Sequence, residues 1–384
     1  MKKGLLILFV LLLSFLGIYF YSSRVTKKTN GVILLSENTG DISGYYVWEK
    51  ELDAKGLKAI IKPERSVLEK YPDYFKKLAD KGYEIATGYG EAPFWEMPYE
   101  EQYKIMKEYK EYAEKITGKP IKIFSSKYFA YDENTLKAAD ALGIPYILAR
   151  GSGIKAAIYS PEEYKTKLIS VSNLVFEDMG SGSLCDASLF QRGSTADDFK
   201  KVLDDSFNEK PRDLVLVSHV YIGGTRKGWW DAYASALVSE KVQWRNFDSW
   251  VGRAEELKMP YSEIPYNTEV KYVVPKPAVP LEELELIPDL KTKESITVFH
   301  NGKGPMCLEF IEFAKTLDFP VEQHLDTEEK FYETLESYKS KFPKSQGVSE
   351  SFGYYPIIFL NNKAYSGFNE EIKKEILKDI GGDK

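Results

Sequence analysis

Short apolar runs alternate with amphipathic helical stretches from Gly31 to about Pro145, and this alternation limits the folds open to the chain more than any other feature. Val32-Ile33-Leu34-Leu35, Lys58-Ala59-Ile60-Ile61, Tyr83-Glu84-Ile85-Ala86, Ile121-Lys122-Ile123-Phe124 and Pro145-Tyr146-Ile147-Leu148 read as strands short enough to be buried in a parallel sheet. The clearest helix between them runs from Pro98 to Ile116, with Pro98 in its first turn, Glu100 and Glu101 at the positive helix end and Gly118 just past its close. Repeated strand–helix units imply a parallel sheet covered by helices, closed as a barrel or open and doubly wound; periodicity does not separate the two.

Beyond Pro145 the pattern loosens. Leu168 to Phe176 reads as a strand, and the glycine- and serine-rich Met179-Gly180-Ser181-Gly182-Ser183 as a loop. Regular signals return in Asp213 to Val217, a strand ending in Ser218-His219, and in a helix-like stretch from Asp231 to Lys241. Prolines at 260, 265, 275, 277, 280 and 288 mark an extended spacer. The last ninety or so residues alternate again, with strands at Ser295–Phe299, Pro320–Leu325 and Tyr355–Leu360 and helices at Cys307–Leu317, Thr327–Lys341 and Asn369–Ile380.

At the N-terminus Lys2 and Lys3 precede an apolar run, Leu5–Tyr21, of roughly 17 residues, the short end of what crosses a bilayer as a helix. Its end lacks an Ala-x-Ala pattern, so an uncleaved anchor is expected, with a cleaved signal as the alternative. Either exports the remainder of the chain, to the extracytoplasmic face of the cell membrane or, after cleavage, as a secreted protein. A net charge of −6 argues against a nucleic-acid partner. Two cysteines, Cys185 and Cys307, do not make a disulfide scaffold.

The segment Gly82-Tyr83-Glu84-Ile85 with Pro93, the helix end Thr117-Gly118, and Phe124, Tyr128, Asn134-Thr135-Leu136 and Gly143 together resemble the polysaccharide deacetylase, or NodB-homology, family. The resemblance runs from Gly31 to about Val251 and implies a (β/α) barrel of the deacetylase type. It also implies a divalent metal held by one Asp and two His, activating water to attack an N-acetyl carbonyl. On this frame the two histidine positions fall on Gly88 and Ala92, the Asp-Asp pair on Glu37-Asn38, and the family's arginine on Ser125. The strand Val215-Leu216-Val217-Ser218-His219 resembles the one that ends in the family's acid histidine, and His219 is the only histidine before residue 300.

Glu37 and His219 are therefore the expected catalytic residues, with Asn38, Asp41, Glu91, Trp95, Tyr128 and Trp229 as substrate contacts. No cofactor is expected. A hard divalent metal on Glu37, Asp41, Glu91 or Asp178 is the alternative. Tyr89, Phe94, Trp95, Trp229 and Trp230 are candidates for stacking on sugar, or else for ordinary packing.

Near the C-terminus, Thr297-Val298-Phe299-His300 leading to Gly304-Pro305-Met306-Cys307, with Tyr355-Pro356-Ile357-Ile358-Phe359 further on, resembles a thioredoxin or glutaredoxin domain. The resemblance implies a cis bond before Pro356. Gly304 stands where the attacking cysteine would be, which leaves Cys307 and Pro356 as a redox remnant.

The expected fold is thus α/β throughout, divided into an anchor or signal at 1–30, a deacetylase-like barrel at 31–260, a proline-rich linker at 261–292 and a smaller thioredoxin-like domain at 293–384. Three functions are compatible with it. The first is a tethered protein that binds polysaccharide or another N-acetylated glycan with the metal chemistry lost. The second is a C–N hydrolase with a site rebuilt from Glu37, Asp41, Glu91 and His219. The third is a protein that binds a protein partner through its C-terminal domain.

Overall fold

The structure, a computed structural model, describes residues 28–37, 39–40, 42–176, 179–265, 276–288, 295–317, 319–361 and 363–380. Leu5–Tyr21 and the residues Asn38, Asp41 and Asp178 lie outside them. No helix among the described residues is long and apolar enough to cross a membrane.

The first half alternates as its sequence predicts. In order come β1 (Thr29–Glu37), α1 (Ser43–Ala54), β2 (Ile60–Pro63), α2 (Arg65–Lys70), α3 (Pro72–Asp80), β3 (Glu84–Ile85), β4 (Thr87–Tyr89), α4 (Tyr99–Thr117), β5 (Ile123–Ser126), α5 (Glu133–Leu142) and β6 (Tyr146–Arg150). β1, β2, β5 and β6 reach two residues further toward their C-termini than their apolar runs, taking in the polar or charged Ser36-Glu37, Lys62, Ser125-Ser126 and Arg150. Helix α4 is capped by Pro98 and closed by Gly118, whose left-handed φ of 68° suits glycine.

Then come β7 (Ile158–Pro161), β8 (Lys167–Val171), β9 (Asn173–Phe176), β10 (Gly180–Ser183), α6 (Asp186–Phe190), α7 (Ala196–Asn208), β11 (Asp213–His219), α8 (Val220–Gly223), α9 (Lys227–Leu237), β12 (Val242–Trp244), α10 (Phe247–Val251) and β13 (Glu256–Met259). The glycine- and serine-rich passage is a strand and not a loop. β10 pairs antiparallel with β9, and a side chain at Gly182 would meet Ser188 and Arg192, so small residues are what let this hairpin sit close to α6. Helix α9 begins four residues before its predicted start at Asp231.

Two sheets organise this region. One, all parallel, runs β11-β1-β2-β3 with β12 also on β1; the other runs β13-β7-β8-β6-β5-β4 with only β7 and β8 antiparallel. Among the described residues no ladder joins the two sheets: they meet through the isolated bridge of Glu64 to Gly88 on one side and, on the other, through single backbone hydrogen bonds from Ala156 to the Asp213 carbonyl (2.9 Å) and from Ser172 to that of Val215 (3.3 Å). The expected closed barrel is therefore not traced by one continuous hydrogen-bonded ring. β1 is buried along its whole length, as a continuous apolar run between helix layers should be.

The proline-rich stretch is extended but not free. Lys276 donates to the Gln191 carbonyl, Ile287 to that of Thr225, and Leu286 bridges Arg226, so residues 276–288 lie along α6 and α9.

The C-terminal residues add β14 (Ile296–His300), α11 (Pro305–Ala314), β15 (Val321–Leu325), α12 (Phe331–Lys339), β16 (Gln346–Gly347), β17 (Ile357–Leu360), β18 (Lys363–Ser366) and α13 (Glu370–Asp379). The sheet order is β15-β14-β17-β18-β16, with β14 parallel to β15 and antiparallel to β17. The Tyr355–Pro356 bond is cis. Buried residues here cluster separately from those before residue 265. The two parts touch through the Lys70–Glu322 ion pair (3.0 Å) and the Gln323–Asp73 hydrogen bond (2.8 Å).

Candidate functional site

A polar cavity of about 330 Å³ opens at the carboxyl ends of β1, β2, β5, β6 and β11. Strand ends gather there because every parallel strand points the same way, so whatever residue closes each apolar run is delivered to one face. The volume lies within the range of small-ligand sites.

One wall is built around Asp186, the first residue of α6, which is fully buried. Its carboxylate accepts from the backbone N–H of Ala187 (2.6 Å), His219 (2.9 Å) and Gly223 (2.9 Å) and from the Ser218 hydroxyl (2.9 Å). Behind it the Tyr233 hydroxyl donates to Val217 O (2.6 Å) and accepts from Asp186 N (3.1 Å). His219, ending β11, places Nδ1 3.3 Å from Asp186 Oδ1. Burial works against the imidazolium, but hydrogen bonds to Asp186 and Cys185 outweigh it and raise its pKa to about 10. At neutral pH His219 is therefore a hydrogen-bond donor and not a base. Cys185 is a free, buried thiol whose Sγ lies 3.2 Å from Ser183 Oγ and accepts from Ser188 N (3.3 Å).

The opposite wall comes from the end of β2. Lys62 is 8 % exposed and Glu64 half-buried, and both line the cavity. Burial lowers the Lys62 pKa and raises that of Glu64. Their side chains lie across the end of β4, where Gly88 within the strand and Gly90 just after it make room. A Cβ on Gly88 would fall 2.7 Å from Lys62 Cε and 3.2 Å from Nζ, and one on Gly90 would overlap the Glu64 carboxylate. Lys127, Tyr128, Arg150 and Arg192 complete the rim.

Of the residues that the sequence singled out, His219 and Tyr128 line this cavity. Glu37 is fully buried and turned into its own loop, where Oε1 accepts from Thr39 N, Thr39 Oγ1 and Gly40 N (3.1 Å). Glu91 is exposed and receives the Tyr89 hydroxyl at 3.2 Å. Trp95 is half-buried and does not line the cavity. Trp229 is not a sugar platform. It is 2 % exposed, packed between Phe190 and Phe199 at 6.0 and 5.3 Å, because α9 lies on the outer side of the sheet and turns this face inward. Trp230 likewise packs on Trp48 at 5.1 Å, and Phe94 is fully buried. In the C-terminal part Cys307 is buried in the first turn of α11, and burial pushes its thiol up.

Lys62, Glu64, Arg150, Asp186 and Arg192 went unread in the sequence, and Cys185 was read only as one of two cysteines. For Lys62 and Arg150 the signal was present: each is the lone charge closing an apolar run, in Ile60-Ile61-Lys62 and Ile147-Leu148-Ala149-Arg150. Asp186 had none, because its partners come from three separate segments.

The metal that the resemblance implies does not fit the positions matched to its ligands. Gly88 and Ala92 carry no donor atom, and the Lys62 amine occupies the space beside Gly88. Glu37, Glu91 and His219 do not converge. Among the described residues one group of three ligating side chains does, Cys185, Asp186 and His219, with ligand atoms all within 4.8 Å of one another. Both Asp186 oxygens there already accept two or more protein donors, which leaves them poorly placed to serve a cation as well.

No curated protein matches the chain. Among solved structures it is similar to a Mycobacterium smegmatis protein assigned as a polysaccharide deacetylase, at 13 % identity and a TM-score of 0.48, over 60 % of this chain and 91 % of that one. It is similar to Puue allantoinase at 14 % identity and 0.47, over 60 % and 91 %. A mutant of BA3943, a CE4 family pseudoenzyme with restored enzymatic activity, is similar at 10 % identity and 0.41, over 60 % and 69 %. Residues 48–147, from α1 to β6, match the family model described as polysaccharide deacetylase.

Proposed function

We propose that the cavity at the strand ends binds polysaccharide and does not carry out metal-dependent deacetylation. The observation behind this reading is the pairing of Gly88 and Ala92, at the matched histidine positions, with the Lys62 amine in the space beside Gly88. Amide hydrolysis by this route needs a Lewis acid to polarise the carbonyl and activate water, a contribution of several kcal/mol. An ammonium in that space repels a second cation instead. His219, protonated at neutral pH, is suited to donating to a sugar hydroxyl or acetamido carbonyl. Tyr128, 36 % exposed at the rim, supplies a flat ring.

The test pairs acetate release from N-acetylglucosamine oligomers with retention on the same polymers. Retention without acetate release, unaltered by chelator or added divalent metal, is the expected result. Acetate release that chelator abolishes and metal restores would overturn the chemical half, and absence of retention on any glycan the binding half.

On the same reading the chain is tethered outside the cytoplasm through Leu5–Tyr21, residues 31–260 form the deacetylase-like unit and 293–384 a thioredoxin-like one. The β15-β14-β17-β18 order and the two matched motifs support the latter assignment. Its Gly304 stands in place of an attacking thiol, so it is read as a docking module for a protein partner and not as a reductase. Carbonate extraction that leaves the chain with the membrane supports the tether; a soluble chain starting near Ser22 overturns it.

A further inference from the structure

Lys62 indicates which kind of sugar the cavity takes. Its Nζ has neither a hydrogen bond nor an ion pair among the described residues, although only 8 % of the residue is exposed and the residue lines the cavity. A buried ammonium without a partner costs several kcal/mol, and proteins relieve that cost with a counter-charge or by giving up the proton. Glu64 approaches through space but does not pair with it. Two further cations at the cavity are held by backbone carbonyls. Arg192 donates to the carbonyls of Ser188 (2.8 Å), Met179 (3.3 Å) and Ser181 (3.3 Å), and Lys127 to that of Glu91 (3.1 Å). Backbone carbonyls fix the direction of a charge and leave its sign intact. Among the described lining residues Lys62, Lys127 and Arg192 thus share a single lining carboxylate, Glu64, in a chain whose net charge is −6, while His219 is paired with Asp186. A concave site of one sign focuses its field on ligands of the other.

We propose that the cavity selects an acidic carbohydrate, one bearing a carboxylate, sulfate or phosphate substituent, and that Lys62 is the residue that pairs with that substituent. This rests on the glycan reading above and names its ligand class.

Titration calorimetry on the full chain tests it with matched ligands: oligogalacturonate, the same oligomer fully methyl-esterified, a sulfated disaccharide with its desulfated form, and free phosphate and sulfate. The acid form is expected to bind at least tenfold more tightly than its ester. Lys62→Met should erase that preference while Lys62→Arg retains most of it, and thermal melts of both variants report whether they fold. Equal binding of acid and ester, or a preference that survives in a folded Lys62→Met, overturns the proposal and leaves glycan binding standing. Free phosphate or sulfate binding as tightly as the charged sugars overturns the carbohydrate part. Binding of no sugar, charged or neutral, removes the glycan reading itself. A preference for the sulfated over the uronate sugar, lost in Lys62→Met, supports the proposal and identifies the substituent.

Discussion

The two walls of the cavity treat charge in opposite ways. Around Asp186 every donor in reach converges on one carboxylate, and the result is a closed network in which His219 is held by its neighbours. Across the cavity Lys62 is equally withdrawn from solvent and has no such company. A charge that the fold satisfies for itself contributes to stability; one that the fold leaves unsatisfied is available to a ligand and costs stability until the ligand arrives. The difference separates scaffolding from recognition in a way that residue type alone does not.

Several substitutions would break or sharpen this contrast. Asp186→Asn should have the largest effect, about 3–5 kcal/mol of lost stability in urea unfolding, since an amide NH2 would then face backbone donors. A loss below about 1 kcal/mol would mean that the network is not what holds this wall.

A smaller effect is expected from pH. The folded pKa of His219, about 10, exceeds its unfolded value of about 6.5, so its contribution is complete below the unfolded value and lost as pH rises through the folded one. Stability should fall on that alkaline side by roughly 1.5–3 kcal/mol, the scale of a hydrogen bond to a charged group, and His219→Asn should flatten the decline. A variant that melts with the same pH profile as the native chain would detach His219 from Asp186.

Gly88→Ala should cost about 1–3 kcal/mol by overpacking against the Lys62 stem. Combining it with Lys62→Ala should recover most of that loss, and strict additivity in the double-mutant cycle would show that the two do not compete for space. Lys62→Met alone should change stability by less than about 1 kcal/mol, or raise it, because replacing an unpaired buried charge with an apolar chain of similar length is often neutral or favourable.

Cys307, outside both walls, serves as a control. Its thiol is buried and pushed up, so insulin reduction should be absent, and activity that vanishes in Cys307→Ser would overturn the redox-inactive reading.

The alternation that opens the chain was enough to place its strands and helices, since a buried parallel strand leaves an unbroken apolar run, as in Val32 to Leu35. The second half was harder. β10 is built of Gly180, Ser181, Gly182 and Ser183, which carry no strand signal; a close-packed hairpin, not propensity, makes them extended. The site divides in the same way. His219 was legible because it closes an apolar strand, and Lys62 and Arg150 close theirs just as plainly. Glu37 shares that address but is spent on its own turn, a choice set by Thr39 and Gly40. Trp229 shows that composition is a weak guide to a sugar site, because which face of a helix turns inward depends on what packs there.

The approach of Lys62 to Gly88 makes these two positions a single unit of variation. A Cβ added at 88 would lie 2.7 Å from Lys62 Cε and 3.2 Å from Nζ, so the far end of the lysine has to swing away to admit any side chain there. A substitution at 88 therefore acts on its surroundings twice, once through the group it introduces and once through the charge it displaces.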